Sequence, residues 1–439
     1  MKSEEENVGL QVSLLAGETI DVQKTRESPQ LSDAQLNQRY LKEGVRIVVE
    51  QARYPLNQIL TMFTDTFVTA TGEQAAKYKR DPEYQRRHRW DDGRKSRLIE
   101  SFLMNVPVPP IFLYEYELAR FEVMDGRQRL TALMEFYANS LELTELQHWP
   151  ELNGRRYSTL PSSIRDGIDR RYLSSIILLN ETSAASVEQA AFLKKLVFER
   201  LNSGGVRLTG QETRNAVYDG PLNDLCLELS KMTEFRAILG TPRGADDSIV
   251  TEDEAEGVES TAPEAESAVL ERDSDGVEVT NLGRSMFKSM EDVEIVLRFF
   301  AYRHLASFPQ GLNNIAEFLD EFLIRGNQFN PQTLADYERL FRENIEFWFA
   351  INGSYAFQVK GSRRHFSKIS FDALMYASSA LDSNQRQVLL SRPDTVRSVL
   401  DVMYTQERLV FGGRKTNTSD AHRRNRAALK ALTTALAAV

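Results

Sequence analysis

Residues 121–137 read FEVMDGRQRLTALMEFY. A short apolar run ends in Asp125-Gly126, and Leu130, Leu133, Met134 and Tyr137 then recur at helical spacing. The pattern predicts a strand, a glycine turn and a helix that starts at about Arg127. Gly126 suits a tight turn and lets backbone approach a ligand closely. The first turn of such a helix offers unpaired N–H groups and the positive end of the helix dipole, an anion site before any side chain is counted. Arg127 and Arg129 add two guanidinium groups shaped for bidentate phosphate contacts. Arginine at a helix N-terminus opposes the dipole, so helix stability alone does not explain the pair. Arg127 lies three residues before Leu130 and borders the buried stripe, whereas Arg129 points elsewhere around the turn. Asp125 has three uses open to it: capping the helix, orienting an arginine, or ligating a metal ion.

Outward from this stretch, the pattern divides the 439 residues into an α/β part and a helical part. Residues 1–40 are polar without sustained periodicity and read as a flexible tail. RIVVEQARYPLNQILTMF gives a β-rich run, a proline and a helical pattern through Leu56, Ile59, Leu60 and Phe63. Residues 96–104 read as a helix with Leu98, Ile99, Phe102 and Leu103 inward, ended by VPVPP. IFLYEYE and RFEVMD read as two strands joined by a short turn, followed after the arginine-bearing helix by a helix near residues 162–172 and a strand SSIILLNE. A helix SVEQAAFLKKLVFERLN leads into a glycine loop and a further helix, and from Gly283 onward the pattern is almost wholly helical. Domain limits follow: 41–230 for the α/β part, 244–280 for an acidic disordered insertion, and 283–439 for the helical part.

The net charge of −9 is an average over unlike parts. Between Gly244 and Glu278 stand 13 acidic residues and one arginine, a net of −12, which leaves +3 for the rest of the chain. The acidic balance therefore does not exclude a nucleotide or nucleic-acid partner. The segment is also a candidate nucleic-acid mimic that masks a basic site. Cys226 is the one cysteine, set in the apolar pattern LNDLCLELS, so it reads as a core thiol, and a multi-cysteine zinc site is excluded. No apolar run reaches the roughly 18 residues of a membrane helix, and MKSEEENVGL lacks the features of a signal peptide. A cytoplasmic protein without membrane contact is expected.

Two further clusters carry chemistry. YQRRHRW, residues 84–90, packs Arg86, Arg87, Arg89, His88 and two aromatics into seven positions, a composition suited to phosphate contact plus stacking or to a solvated basic loop anchored by Trp90. FERLNSGGVRLTGQETRNAVY places Asn202 and Gly204-Gly205 in a tight turn and gives Thr209 and Glu212 the spacing of a capping box. Structural capping and a ligand role for Glu212 both stay open. No Gly-Lys-Ser/Thr follows the glycine pair, so it is not a P-loop.

Together, YQRRHRW, LIESFLMNVPVPPIFLYE, VMDGRQRLTAL and FERLNSGGVRLTGQETRNAVY resemble, in order, the N-terminal domain of GmrSD-type modification-dependent restriction enzymes. That family is also known as a domain of unknown function related to ParB and sulfiredoxin. The resemblance runs from about Tyr54 to Tyr218. It implies an α+β chain: a ParB/sulfiredoxin-like mixed α/β domain followed by an α-helical domain. It also implies a nucleotide-phosphate site on Asp125, Gly126, Gln128 and Arg129, joined by Gln85, Arg86 and Asn202. Arg127 stands where the family usually has glutamine, and His88 where an aromatic is usual.

The function so implied is a nucleotide-binding, NTP-hydrolysing, DNA-associated protein of a restriction or phage-defence system. A nucleoside triphosphate with Mg2+ would sit on Gly126 and the helix start, its phosphates neutralised by Arg86, Arg127 and Arg129. Asp125, Arg129 and Glu212 are the candidate catalytic residues, with Asp125 the candidate Mg2+ ligand. The competing reading is a non-catalytic DNA-binding sensor in which the same arginines hold DNA phosphates. Direct phosphodiester cleavage ranks below both. Two-domain family members end in a His-Asn-His nuclease, but His365 in GSRRHFSKIS and His422 in SDAHRRNRAAL lack the pairing and hairpin such a site needs. A partner nuclease or defence protein is therefore expected. Arg363 and Arg364 remain a basic patch able to touch nucleic acid.

Overall fold

A computed structural model describes residues 10–20, 32, 33, 35, 49–69, 72–79, 90–179, 196–197, 209–218, 220–243, 269–305, 315–359, 366–411 and 418–438. The chain is α+β and divides into two compact units, Glu27–Arg207 and Met1–Arg26 with Leu208–Val439. The α/β unit is thus inserted into the helical one.

Five strands form the sheet of the α/β unit, in the order β1-β7-β5-β6-β4. They are β1 Val49–Pro55, β4 Tyr78–Lys79, β5 Ile111–Glu117, β6 Arg120–Asp125 and β7 Tyr172–Leu178, while β2 Thr66–Val68 and β3 Gln74–Ala76 form a separate antiparallel pair. β1 and β7 pair antiparallel, β7 and β5 parallel, β5 and β6 antiparallel, and β6 and β4 parallel. β5 is built from alternation, since every second residue (Ile111, Leu113, Glu115) is buried. Leu113 lies opposite Val123, and both join the core with Leu173 and Ile177 of β7. Helices Ile59–Phe63, Asp92–Leu103, Arg127–Tyr137 and Ser162–Asp169 bring Phe63, Ile99, Phe102, Leu133, Phe136 and Ile168 to the same core. Asp91 caps the second of these by accepting from Arg94 N at 2.6 Å, and the helix ends at Met104, ahead of VPVPP.

The helical unit is held by an aromatic core and by arginines buried against carboxylates. Phe300 stacks on Tyr337 at 4.4 Å, Phe235 and Phe299 meet Phe341, and the Trp348 indole donates to Ser378 Oγ at 2.9 Å. Arg214 pairs with Glu294 and Asp320 at 2.9 and 2.8 Å, and Arg298 grips both oxygens of Asp372. Cys226 is a buried core thiol, and burial pushes its pKa far up.

The structure departs from the sequence reading at three places. The α/β domain was expected to run to residue 230, but helices Gly210–Val217, Pro221–Leu229 and Thr233–Leu239 belong to the helical unit, through contacts such as Arg214–Asp320 and Phe235–Phe341. Within the supposed disordered insertion, β8 Val269–Arg272 and β9 Glu278–Thr280 form a hairpin. Arg236 organises it by pairing with Asp273 and Asp275, so part of the acidic charge is structural. Finally, residues 10–20 pack in the helical unit. The tight turn at residues 15–18 needs Gly17, whose φ is +81° and whose added Cβ would lie 2.6 Å from Thr333 Oγ1. That turn drives Glu18 into complete burial, where Arg303 Nε donates to it at 2.8 Å and His304 Nε2 lies 3.1 Å away.

Burial alone would raise the Glu18 pKa, but hydrogen bonds from His304 and Arg303 and the charge of Arg303 outweigh it and hold the carboxyl at about 2 against an ordinary 4.5. A depressed carboxyl pKa stabilises the fold above the unfolded value and loses that contribution as pH falls through the folded one. A depression of this size corresponds to about 3 kcal/mol. Glu18→Gln is therefore expected to lower the denaturation free energy of the helical unit by about 3 kcal/mol at pH 7. The difference from wild type should shrink steadily between pH 4.5 and pH 2, as denaturation midpoints measured across that range will show.

Candidate functional site

At the end of β6 the chain turns through Gly126, with φ 91° and ψ 14°, and enters the helix Arg127–Tyr137. This is the strand, glycine turn and helix that periodicity predicts. A Cβ at Gly126 would sit 2.4 Å from Ile111 Cγ2, so glycine serves a close approach between the turn and the first residue of β5 as well as the left-handed backbone. Leu130, Leu133 and Met134 are buried as expected, while Phe136 is buried ahead of the half-buried Tyr137.

No side chain caps this helix. Asp125 is turned to Arg129 instead, accepting from Nη2 at 2.6 Å. Arg129 Nη1 donates to the Pro109 and Pro110 carbonyls at 2.6 and 3.3 Å. Arg129 therefore ties the turn to the segment that feeds β5. Its side chain keeps 12% exposure and that of Asp125 38%, so the pair stands at the edge of solvent.

Arg127 occupies a different environment. It is 8% exposed, and its Nε donates to Val123 O at 2.6 Å, which folds the guanidinium back over β6. Its two Nη atoms are buried and find no hydrogen-bond partner among the described residues, and Glu122 Oε1 lies 3.9 Å from Nη2, in ion-pair range but too far for a hydrogen bond. Leaving such donors unsatisfied costs roughly 1–3 kcal/mol each.

Gln128 reaches across to the neighbouring helix start, where its Oε1 accepts from Trp90 N at 3.2 Å. Trp90 packs partly against the core, and the Arg94 guanidinium lies over its ring, 5.1 Å from the centroid. The turn thus brings together Asp125, Gly126, Arg127, Gln128 and Arg129, with Trp90 and Arg94 alongside. Glu122 and the Pro109–Pro110 carbonyls are participants that the sequence reading missed. Strand alternation places Glu122 only on a face, and a backbone carbonyl carries no signal in the residue letters.

Glu212 belongs to the helical unit, where it completes the capping box: Thr209 N donates to Glu212 Oε2 at 2.7 Å, and Glu212 N to Thr209 Oγ1 at 3.3 Å. Gln85, Arg86, Arg87, Arg89, His88, Asn202, Arg363, Arg364 and His365 lie outside the described residues. His304 is buried beside Glu18, and His422 is exposed on the helix Thr418–Ala437. Among the described residues no group of three or more His, Cys, Asp or Glu side chains is placed to hold a metal ion, and no helix is long and apolar enough to cross a membrane.

A mixed sheet that ends at an uncapped helix start, with one arginine bracing the turn and another buried over the strand, defines an α+β domain built around a basic turn. Residues 69–218 match the family model of the GmrSD restriction endonuclease N-terminal domain. No curated protein and no solved structure matches the chain.

Gly126→Ala is expected to destabilise the α/β unit by about 2–4 kcal/mol, through the left-handed backbone and the Ile111 clash combined, as measured by chemical denaturation. Arg127→Met should be tolerated better in the absence of ligand. It removes two unsatisfied buried donors at the loss of one hydrogen bond to Val123 O and of the long ion pair with buried Glu122, so the denaturation midpoint should fall by less than in Gly126→Ala.

Proposed function

We propose that this chain is the nucleotide-binding, NTP-hydrolysing component of a restriction or phage-defence system, with the triphosphate held at the Gly126 turn. The observation that carries the reading is Arg127, a cation nine-tenths buried with both Nη atoms unsatisfied beside a helix start that no side chain caps. A fold that retains that expense without structural return is accounted for by an anion that satisfies the donors when bound. The amides of the first helical turn and Arg127 supply the phosphate contacts, and Gly126 keeps the approach free of a side chain.

Arg129 takes a bracing role. With three protein acceptors already engaged, it fixes Asp125 and the segment before β5 around the ligand. Asp125 is the residue that would hold Mg2+, since Glu122 is buried whereas Asp125 keeps an exposed carboxylate next to the phosphate turn. Bound there, Mg2+ would offset the charge of the phosphate oxygens. Hydrolysis requires an attacking water, and the Asp125 carboxylate is the acceptor at the turn able to orient it. DNA association and cleavage by a partner nuclease complete the proposal, on the analogy of the matched domain's family.

The test is thermal stabilisation and phosphate release with ATP, GTP, CTP and UTP in the presence of Mg2+, for wild type and Arg127→Met. A nucleotide at a hundred times its Kd should stabilise wild type by about 2.7 kcal/mol, and the gain should vanish in the variant when each protein is compared with its own ligand-free midpoint. Phosphate release that disappears with it assigns hydrolysis to the turn. If none of the four nucleotides shifts the wild-type midpoint, the turn is not a nucleotide site.

A further inference from the structure

The phosphate turn has an aromatic neighbour held at a fixed place, and the hydrogen bond that fixes it comes from inside the turn. Gln128, the second residue of the helix, spends its side-chain carbonyl on Trp90 N, 38 residues earlier in the chain. The adjacent Asp91 caps the next helix and Trp90 packs against the core, so the ring is tethered on both sides of its backbone. One ring face is covered by the Arg94 guanidinium, a planar cation seated in the position a stacked base would take.

Resting on the phosphate reading above, we propose that Trp90 is the stacking surface for the base of the bound nucleotide, and that Gln128 is the positioning residue that sets its place relative to the phosphates. The base replaces the Arg94 guanidinium over the ring and gains the larger contact area of a purine or pyrimidine. A π-face is common to every base, so the platform selects nucleotides over simple phosphates without choosing strongly among the four. Gln128 acts through Trp90: it touches neither base nor phosphate and determines how far one lies from the other.

The chain's three tryptophans make the test direct. Trp348 is fully buried and Trp149 is 41% exposed, so in a Trp149→Phe background the ligand-sensitive fluorescence belongs to Trp90. Titrations with MgATP, MgGTP, MgCTP and inorganic tripolyphosphate are compared for this protein and for its Trp90→Leu, Trp90→Tyr and Gln128→Leu derivatives, with thermal stabilisation as the readout where tryptophan is removed. Nucleotides should quench the emission more than tripolyphosphate does. Trp90→Leu should weaken nucleotide binding roughly 10- to 100-fold and leave tripolyphosphate affinity unchanged, Trp90→Tyr should restore most of the loss, and Gln128→Leu should fall in the same direction as Trp90→Leu. Equal weakening of nucleotide and tripolyphosphate, or no weakening of either, overturns the base platform while leaving the phosphate site standing. If the unsubstituted protein binds neither ligand, the phosphate reading falls first and this inference falls with it.

Discussion

The approach of Gly126 to Ile111 is the constraint on which the rest of the site depends. A backbone in the left-handed region, packed where a single extra carbon would collide with β5, fixes where the following helix begins and how it leaves the sheet. Once that start is fixed, Arg129 has the carbonyls of Pro109 and Pro110 within reach and Asp125 one turn behind it. The same start folds Arg127 back along β6, where Val123 O takes its Nε and no described residue takes its Nη atoms. Two arginines two positions apart thus acquire opposite characters. One is a satisfied brace at the solvent edge, and the other a buried cation with unused donors.

That division bears on how the turn works. Arg129 is mostly buried and bonded to Asp125 and two backbone carbonyls, so the pair holds the shape of the turn. The Arg127 guanidinium is withdrawn from water, and its unsatisfied donors are a standing cost that, on the proposal above, a bound anion would relieve. Affinity would then reside in the buried residue, while Asp125 and Arg129 set geometry. Gln128 is turned sideways, where its side-chain carbonyl accepts from Trp90 N.

The helical unit follows another logic. Its buried arginines pair with carboxylates far away in the chain, Arg303 with Glu18, Arg214 with Asp320, Arg236 with Asp273 and Arg298 with Asp372, although Arg303 Nη1 is left without a hydrogen bond. Buried pairs of this kind add little net stability over an apolar substitute, yet breaking one is expensive, so they define which segments belong together. Through them the N-terminal turn and the β8–β9 hairpin become parts of a unit whose helices begin about two hundred residues after that turn.

Local chemistry accounts for what the sequence alone determined. Alternation marked β5, a short apolar run ending in Asp-Gly marked β6, the 3.6-residue period marked the helix Arg127–Tyr137 and the stripe through Leu130 and Leu133, and the Thr209–Glu212 spacing marked a capping box, because each is a pattern completed within a few residues. The resemblance of the motif blocks to a restriction-type domain was likewise readable in their order. Tertiary structure decided what depends on distant partners. Composition assigned residues 1–40 to a tail because the partners of Glu18 stand 285 and 286 positions away, and it assigned residues 244–280 to disorder because Arg236 lies outside that segment. It offered both Arg127 and Arg129 as phosphate ligands because two letters of the same kind carry no record of which guanidinium meets a carbonyl and which is buried without one. Hydrogen-bond satisfaction is a property of positions in space, and only the folded chain supplies those positions.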